Sequence, residues 1–321
     1  MIIYSKYCFF LFNLLFFINI GHSQNATFTS TASGDFDNPV GNPGSPWIIT
    51  SGTDPDGIPD RADEIIINFG HTITASSSAI SEVSSFTNDG TIILSSTYEF
   101  LVWGSNSAFL NAITSTNNGT ISGAGILYFV TNNDLSNTGT IPSAEIKVGY
   151  GTTELSSDLT LNGKLYLSSS GTFKVKNGNI LTLNNQDVAL SGTYLINEGT
   201  VIVNDSRFFT SGISSNLAFN NTSGHLIWNN SGNLTEPIGS TFKDLTISSS
   251  CSYGSDFNIT GDLIVNATLT PSSAGINITF NGTSAQSISG TGILNLKKLT
   301  LNNTNGLQLS SGTINIEEVM E

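Results

Sequence analysis

Apolar and polar residues alternate along many short stretches of this chain, and the stretches recur at a steady interval. Phe173-Lys174-Val175-Lys176, Leu299-Thr300-Leu301, Leu307-Gln308-Leu309 and Ile314-Asn315-Ile316 each repeat with a period of two, the pattern of a strand with one face buried. Comparable runs of three to six residues fall at 64–69, 91–94, 126–130, 145–148, 200–203 and 276–280. No window of a dozen residues carries a helical period free of Gly or β-branched runs, so almost no helix is expected. A phrase returns between the runs: Asn, any residue, Gly, Thr, then Ile or Val, at 88–92, 117–121, 137–141 and 197–201. Gly119 to Gly139 spans 20 residues, Gly151 to Gly171 spans 20 and Gly171 to Gly192 spans 21. Each unit reads as a turn followed by a short β-branched strand. Recurrence at this period marks stacked coils of chain rather than a single globular core.

The expected fold class is therefore all-β: a right-handed parallel β-helix (a solenoid) with a loop-rich N-terminal cap. One coil of two or three short strands and their corners uses about 20 residues. An antiparallel sandwich would not return one phrase to the same turn at that interval. Asparagine suits a repeated corner, because its side chain bonds to nearby backbone and stacked amides can bond to one another from coil to coil.

Three segments follow. Residues 1–23 read as a signal peptide, with Lys6 ahead of an apolar run from Cys8 to Ile20 and small residues at Gly21 and Ser23. The run is shorter than the ~20 residues of a spanning helix, and no membrane span is expected after cleavage. Residues 24–63 hold five of the eight prolines and Trp47 and read as a cap over the first coil, since an end coil exposes apolar groups and strand edges. Residues 64–321 read as the β-helix repeat domain. The chain stops just after a strand-like run, so this domain reads as truncated at its C-terminus.

Two stretches carry a resemblance. One is Gly34-Asp35-Phe36, Trp47, Gly57-Ile58-Pro59, Asp63, Ile65-Ile66-Ile67 and Gly70-His71-Thr72-Ile73-Thr74. The other is Thr279-Phe280-Asn281-Gly282-Thr283, Gln286-Ser287-Ile288-Ser289-Gly290, Leu299-Thr300-Leu301-Asn302-Asn303 and Leu307-Gln308-Leu309 with Ser311-Gly312-Thr313. Together they resemble the large secreted β-strand-repeat, adhesin-like surface proteins of the Bacteroidetes. The resemblance implies export, a right-handed β-helix and a secreted or cell-surface location. Proteins of that kind usually end in a C-terminal type IX sorting domain, which this sequence does not contain.

Composition narrows the partners. The net charge is −14, with 10 Lys plus Arg against 24 Asp plus Glu. That balance argues against nucleic acid and anionic lipid, both of which require basic patches, and leaves a glycan or another cell-surface ligand as the candidate partner. Only 11% of residues are charged, so Ser, Thr, Asn and Gly must carry the surface. Cys251 is the single cysteine beyond the leader and reads as a small buried side chain rather than a reactive thiol.

Candidate chemistry is sparse. Asp54, Asp56, Asp60 and Asp63 cluster around Gly57; alternating carboxylates about a turn are a candidate Ca²⁺ site, set against the plainer reading of a solvated capping loop. His71 reads as a turn residue. Arg61 and Arg207 are the only arginines and stand in no lyase-like context, and the aspartates beyond Gly70 come singly rather than in the pairs that glycoside hydrolysis needs. Trp103, Trp228, Tyr128 and Tyr166 are candidate sugar-stacking platforms, or else packing groups inside the coils. The reading is a non-catalytic structural or adhesive surface protein; the alternative is a carbohydrate-binding or polysaccharide-cleaving β-helix.

Overall fold

The computed structural model describes residues 25–76, 81–95, 99–104, 113–142, 144–168, 170–184, 188–190, 194–204, 218–234 and 241–320. The signal-peptide segment 1–23 and Arg207 lie outside the described residues. Every element within them is a strand or turn; none is a helix.

The strands stack into three parallel ladders that form the faces of a solenoid. The first face runs through Thr27–Ser30, Glu64–Ile67, Ser85–Asn88, Ile113–Asn117, Asn133–Asn137, Thr152–Leu155, Thr172–Val175 and Tyr194–Asn197, each in parallel register with the next. It continues through Ala218–Trp228, Thr241–Ile247, Phe257–Ile259, Asn277–Phe280, Ile293–Leu301 and Thr313–Met320. The second face opens with Gly34–Asp35, Thr72–Ala75, Thr91–Leu94 and Thr120–Gly123. The third holds Ser81–Val83, Glu99–Val102, Ile126–Phe129, Glu145–Val148, Leu165–Leu167 and Val188–Leu190. Neighbouring strands sit ~4.8 Å apart, so each coil buries one aliphatic layer on the next. Ile73, Ile92 and Ile121 align in this way, all essentially inaccessible. Each such side chain contributes about 1.5–3 kcal/mol by leaving water.

The phrase Asn-x-Gly-Thr acquires a specific cause at the corner between the first and second faces. Asn88, Asn117 and Asn137 turn inward and are buried. The Asn88 Nδ2 donates to Asn117 Oδ1 at 2.7 Å, and the Asn117 Nδ2 donates to Asn137 Oδ1 at 2.7 Å. Asn197 and Asn221 form a second such pair further along. The asparagines expected to stack do so, as buried amide ladders. Each ladder starts against an aliphatic neighbour, Ile67 beside Asn88 and Val175 beside Asn197, which leaves Asn88 Oδ1 and Asn197 Oδ1 without a partner. The glycine is required by crowding. A Cβ on Gly119 would lie 2.0 Å from the carbonyl oxygen of Gly90, and one on Gly139 would lie 2.0 Å from that of Gly119. Gly119→Ala is expected to cost about 3 kcal/mol, the upper end for overpacking, read as a lowered denaturant midpoint; an unchanged midpoint would remove the crowding argument.

The segment read as a cap supplies strands of its own. Thr27–Ser30 pairs in parallel with Glu64–Ile67 and on its other edge antiparallel with Trp47–Ser51. The antiparallel strand covers the open edge of the first ladder, which would otherwise present unpaired donors and acceptors. Trp47 is buried beneath it, edge-on to Phe28 (centroids 6.4 Å) and Phe36 (5.8 Å), and its Nε1–H donates to the Phe36 carbonyl at 2.8 Å. Phe36 in turn meets Phe100 at 5.5 Å, tying the cap to a later coil.

Candidate functional site

The acidic loop brings its carboxylates near one another but aims them at its own backbone. Asp63 is buried and accepts hydrogen bonds from the amides of Ala26 and Asp60, both at 2.8 Å. Asp60 accepts from the Ala62 amide at 2.8 Å. Asp54 and Asp56 both accept from the Ile58 amide, at 3.1 and 2.9 Å. Among the described residues no three His, Cys, Asp or Glu side chains are arranged to hold a metal ion. The Asp63 bond to Ala26 ties the loop to the start of the first strand, and the other bonds lie within the loop.

The loop still carries a titration. Burial, the hydrogen bond to Asp56 and the charges of Asp56 and Asp63 raise the Asp54 carboxyl to about 6, and burial also raises Asp63. A carboxyl raised on folding binds its proton more tightly in the folded state, so these groups favour folding at low pH and lose that contribution as pH climbs from about 4 through 6. Asp54→Asn is expected to flatten the dependence of the unfolding midpoint on pH across that window. A curve identical to that of the parent protein would show that Asp54 does not titrate there.

The third face is where the outward side chains differ most from a Ser/Thr/Asn surface. Tyr128, Lys147 and Tyr166 occupy one outward column, and Glu99, Ile126 and Glu145 the next. Lys147 Nζ lies 2.7 Å from Glu99 Oε1, bridging two coils, and stands 4.2 Å from the centre of the Tyr128 ring. Lys164 Nζ lies 5.4 Å from the Tyr166 ring, and the guanidinium of Arg61 lies 6.0 Å from Trp103, whose Nε1–H donates to Glu82 at 2.9 Å. Burial raises the Glu145 carboxyl, opposed by the Lys164 and Lys147 charges. Burial by itself would lower Lys147, but the bond to Glu99 and the charges of Glu99, Tyr128 and Tyr166 together outweigh it and raise the ammonium. Each outward aromatic named in the sequence thus already has a cation near it, worth about 0.5–1 kcal/mol at such sites. Trp228 is buried in the interior, so the four candidates divide: three outward and one packed inside the coils, as the alternative reading had it.

The sequence reading missed Glu99, Glu145 and Lys147. Their signal was available in the first and third positions of successive third-face strands, 99–102, 126–129 and 145–148, but it appears only once those strands are aligned in register. The outward side of the first face carries a second charged set. Lys176 Nζ contacts Asp134 at 2.9 Å and Glu154 at 3.0 Å, and Lys174 Nζ reaches Glu198 at 3.1 Å and Glu154 at 3.6 Å. Stacking therefore gathers Asp134, Glu154 and Glu198, with lysines between them.

The remaining candidates are structural. His71 Nδ1 lies 2.8 Å from Ser30 Oγ at a corner. Burial lowers His225, whose Nε2 lies 2.8 Å from Thr246 Oγ1. Cys251 is buried, and burial pushes its thiol up to about 12, which leaves almost no thiolate at neutral pH. Among the described residues no helix is long and apolar enough to cross a membrane. Comparison with known protein families, curated proteins and solved structures finds no match to this chain.

Proposed function

We propose that this protein is a non-catalytic structural or adhesive rod that acts at the cell surface or outside the cell. The observation that carries the reading is that outward polar groups are bonded to their counterparts in adjacent coils. Asn184 donates to Asn162 at 3.1 Å, Asn204 to Asn184 at 2.6 Å, Asn229 to Asn204 at 3.0 Å and Ser249 to Asn229 at 3.0 Å, forming an exposed ladder along one corner. Lys174 and Lys176 tie together Asp134, Glu154 and Glu198 in the same manner. A catalytic carboxylate must instead be left facing substrate with its protonation tuned for the reaction. The acidic surface supports a polar, extracellular setting without nucleic acid.

A carbohydrate-binding or polysaccharide-cleaving role is the second reading. The third face favours it, with Tyr128, Tyr166 and Trp103 outward and a raised Glu145 among lysines. Two assays on the purified protein separate the readings. A structural or adhesive rod releases no reducing or unsaturated sugar ends from a panel of polysaccharides, and its adhesive form gives selective signals on glycan or cell-surface arrays. Steady release of sugar ends would overturn the non-catalytic reading. Silence on every surface tested would remove the adhesive half.

A further inference from the structure

Five Asn-Gly steps stand in the chain, at 118–119, 162–163, 177–178, 281–282 and 305–306. Such a step can react with itself. The glycine amide nitrogen attacks the carbonyl carbon of the asparagine side chain, and a residue without Cβ lets the two approach. A fold suppresses the attack when it holds either partner in a hydrogen bond. Four of the five steps are held. Asn118 bonds to Asp89 and from Thr138, and the Gly119 N–H donates to Asn88 O at 2.8 Å. The Gly282 N–H is buried and donates to Gln286 Oε1 at 2.8 Å. The Gly306 N–H donates to Asn303 O at 3.2 Å, and Asn305 Nδ2 donates to Thr283 O at 2.8 Å. Asn162 Oδ1 accepts from Asn184 Nδ2 at 3.1 Å within the outward amide ladder.

Asn177-Gly178 is the exception. The two residues form the exposed tip of a turn between Thr172–Val175 and Ile180–Leu183. The Asn179 N–H closes that turn by donating to Lys176 O at 3.1 Å. Gly178 has a φ of 86°, and nothing lies within 4 Å of where its Cβ would stand. Among the described residues no hydrogen bond engages the Gly178 N–H or the Asn177 side chain. The base of the turn is fixed to the coils on both sides. The Lys176 N–H donates to Leu155 O at 3.3 Å, Val175 O accepts from the Glu198 and Gly199 amides at 2.9 and 3.1 Å, and Asn179 O accepts from the Thr200 amide at 2.9 Å. Freedom is therefore confined to the two residues that react.

We infer that Asn177 is a site of spontaneous modification, converted through a cyclic imide to aspartate and isoaspartate. The Gly178 nitrogen gives its proton to solvent and bonds to Asn177 Cγ. The Cγ–Nδ2 bond breaks, and the nitrogen takes protons from solvent and leaves as ammonia. Water then opens the ring. Opening at Cγ gives aspartate; opening at the Asn177 main-chain carbonyl carbon gives isoaspartate, with the chain rerouted through the side chain. Oxidation states do not change, and water is the only co-reactant. Either product carries a carboxylate where a neutral amide stood, so the net charge moves from −14 to −15. The new charge stands next in the chain to Lys176, which already holds Asp134 and Glu154. The extra main-chain atom of isoaspartate falls at the tip, outside the paired strands, so the coils stay stacked. This inference does not depend on the adhesive reading, because the chemistry needs only the fold and water.

The test incubates the full chain in heavy-oxygen water at mildly alkaline pH and maps it by peptide mass spectrometry, since each imide that opens takes up one labelled oxygen. In the folded protein, label at Asn177 should appear at least about tenfold faster than at Asn118, Asn281 or Asn305, the factor expected where no hydrogen bonds must first be broken. In the urea-unfolded chain the five steps should react at similar rates, because the fold alone sets them apart. Asn177→Gln, whose longer side chain closes the ring far more slowly, should remove the label from this turn and leave the other four rates unchanged. Amide exchange in Thr172–Val175 and Ile180–Leu183 should be the same before and after modification. Equal rates at Asn177 and the held steps of the folded protein, earliest label at another Asn-Gly step, or one pattern shared by folded and unfolded chains would each overturn the inference.

Discussion

Replacing Asn117 by Leu, a side chain of nearly the same shape, is expected to destabilise the protein by about 3 kcal/mol. Asn117 is the middle member of a buried amide ladder: it accepts from Asn88 and donates to Asn137. Leucine can do neither. The Asn88 Nδ2 keeps only its longer contact to Thr120 O at 3.2 Å, and the Asn137 Oδ1 is left buried without its donor. An orphaned buried polar group costs about 1–3 kcal/mol, and the hydrophobic gain of the leucine offsets part of that loss, because the site is already dry. The same change one residue along separates this from any generic effect. Asn118 also bonds from coil to coil, to Asp89 at 2.8 Å and from Thr138 at 2.7 Å, but it does so in solvent. Asn118→Leu should shift stability by about 0.5 kcal/mol or less. Denaturant midpoints of the two variants measure the contrast; equal midpoints would mean that burial of the ladder is not what stabilises the corner.

Trp47→Ala should be the most damaging single change, at about 3–5 kcal/mol for loss of a large buried aromatic. Its loss removes the packing on Phe28 and Phe36 and leaves the Phe36 carbonyl without the indole N–H. Stacked coils exchange energy mainly with their neighbours, so the damage should be local. Amide exchange should quicken in Thr27–Ser30 and Glu64–Ile67 and stay unchanged in Asn277–Phe280. Trp47→Phe, which keeps most of the packing, should recover the greater part of the loss. Uniform acceleration along the whole chain would show that the cap does not act as a local lid.

Much of the architecture was legible because its determinants are local and repeated. The alternation in Phe173-Lys174-Val175-Lys176 places Phe173 and Val175 in the core and both lysines outward, as found. The Asn-x-Gly-Thr phrase located the corners, and stacking of Asn88, Asn117 and Asn137 followed from the chemistry of the amide. The reason for the glycine was not legible, since the clash of Gly119 with Gly90 depends on how two coils superpose. Parity failed at Trp228, where Leu226-Ile227-Trp228 offers apolar residues on both sides and only the register puts Leu226 and Trp228 inside. The acidic loop shows a different limit: sequence brought Asp54, Asp56, Asp60 and Asp63 together, but their orientation toward the Ile58, Ala62 and Ala26 amides is a property of the folded loop.

The parallel in-register stacking of coils can be tested with one crosslinking measurement. Thr116 and Ser136 are direct neighbours on adjacent strands of the first face, and strands in one sheet lie ~4.8 Å apart, inside the Cα range of a disulfide. In a chain with Cys8→Ser and Cys251→Ala, cysteines placed at both positions should form an intramolecular disulfide nearly completely on mild oxidation, identified by mass spectrometry of the folded monomer. A folded monomer in which the two thiols remain free and separately alkylated would contradict the stacked coil.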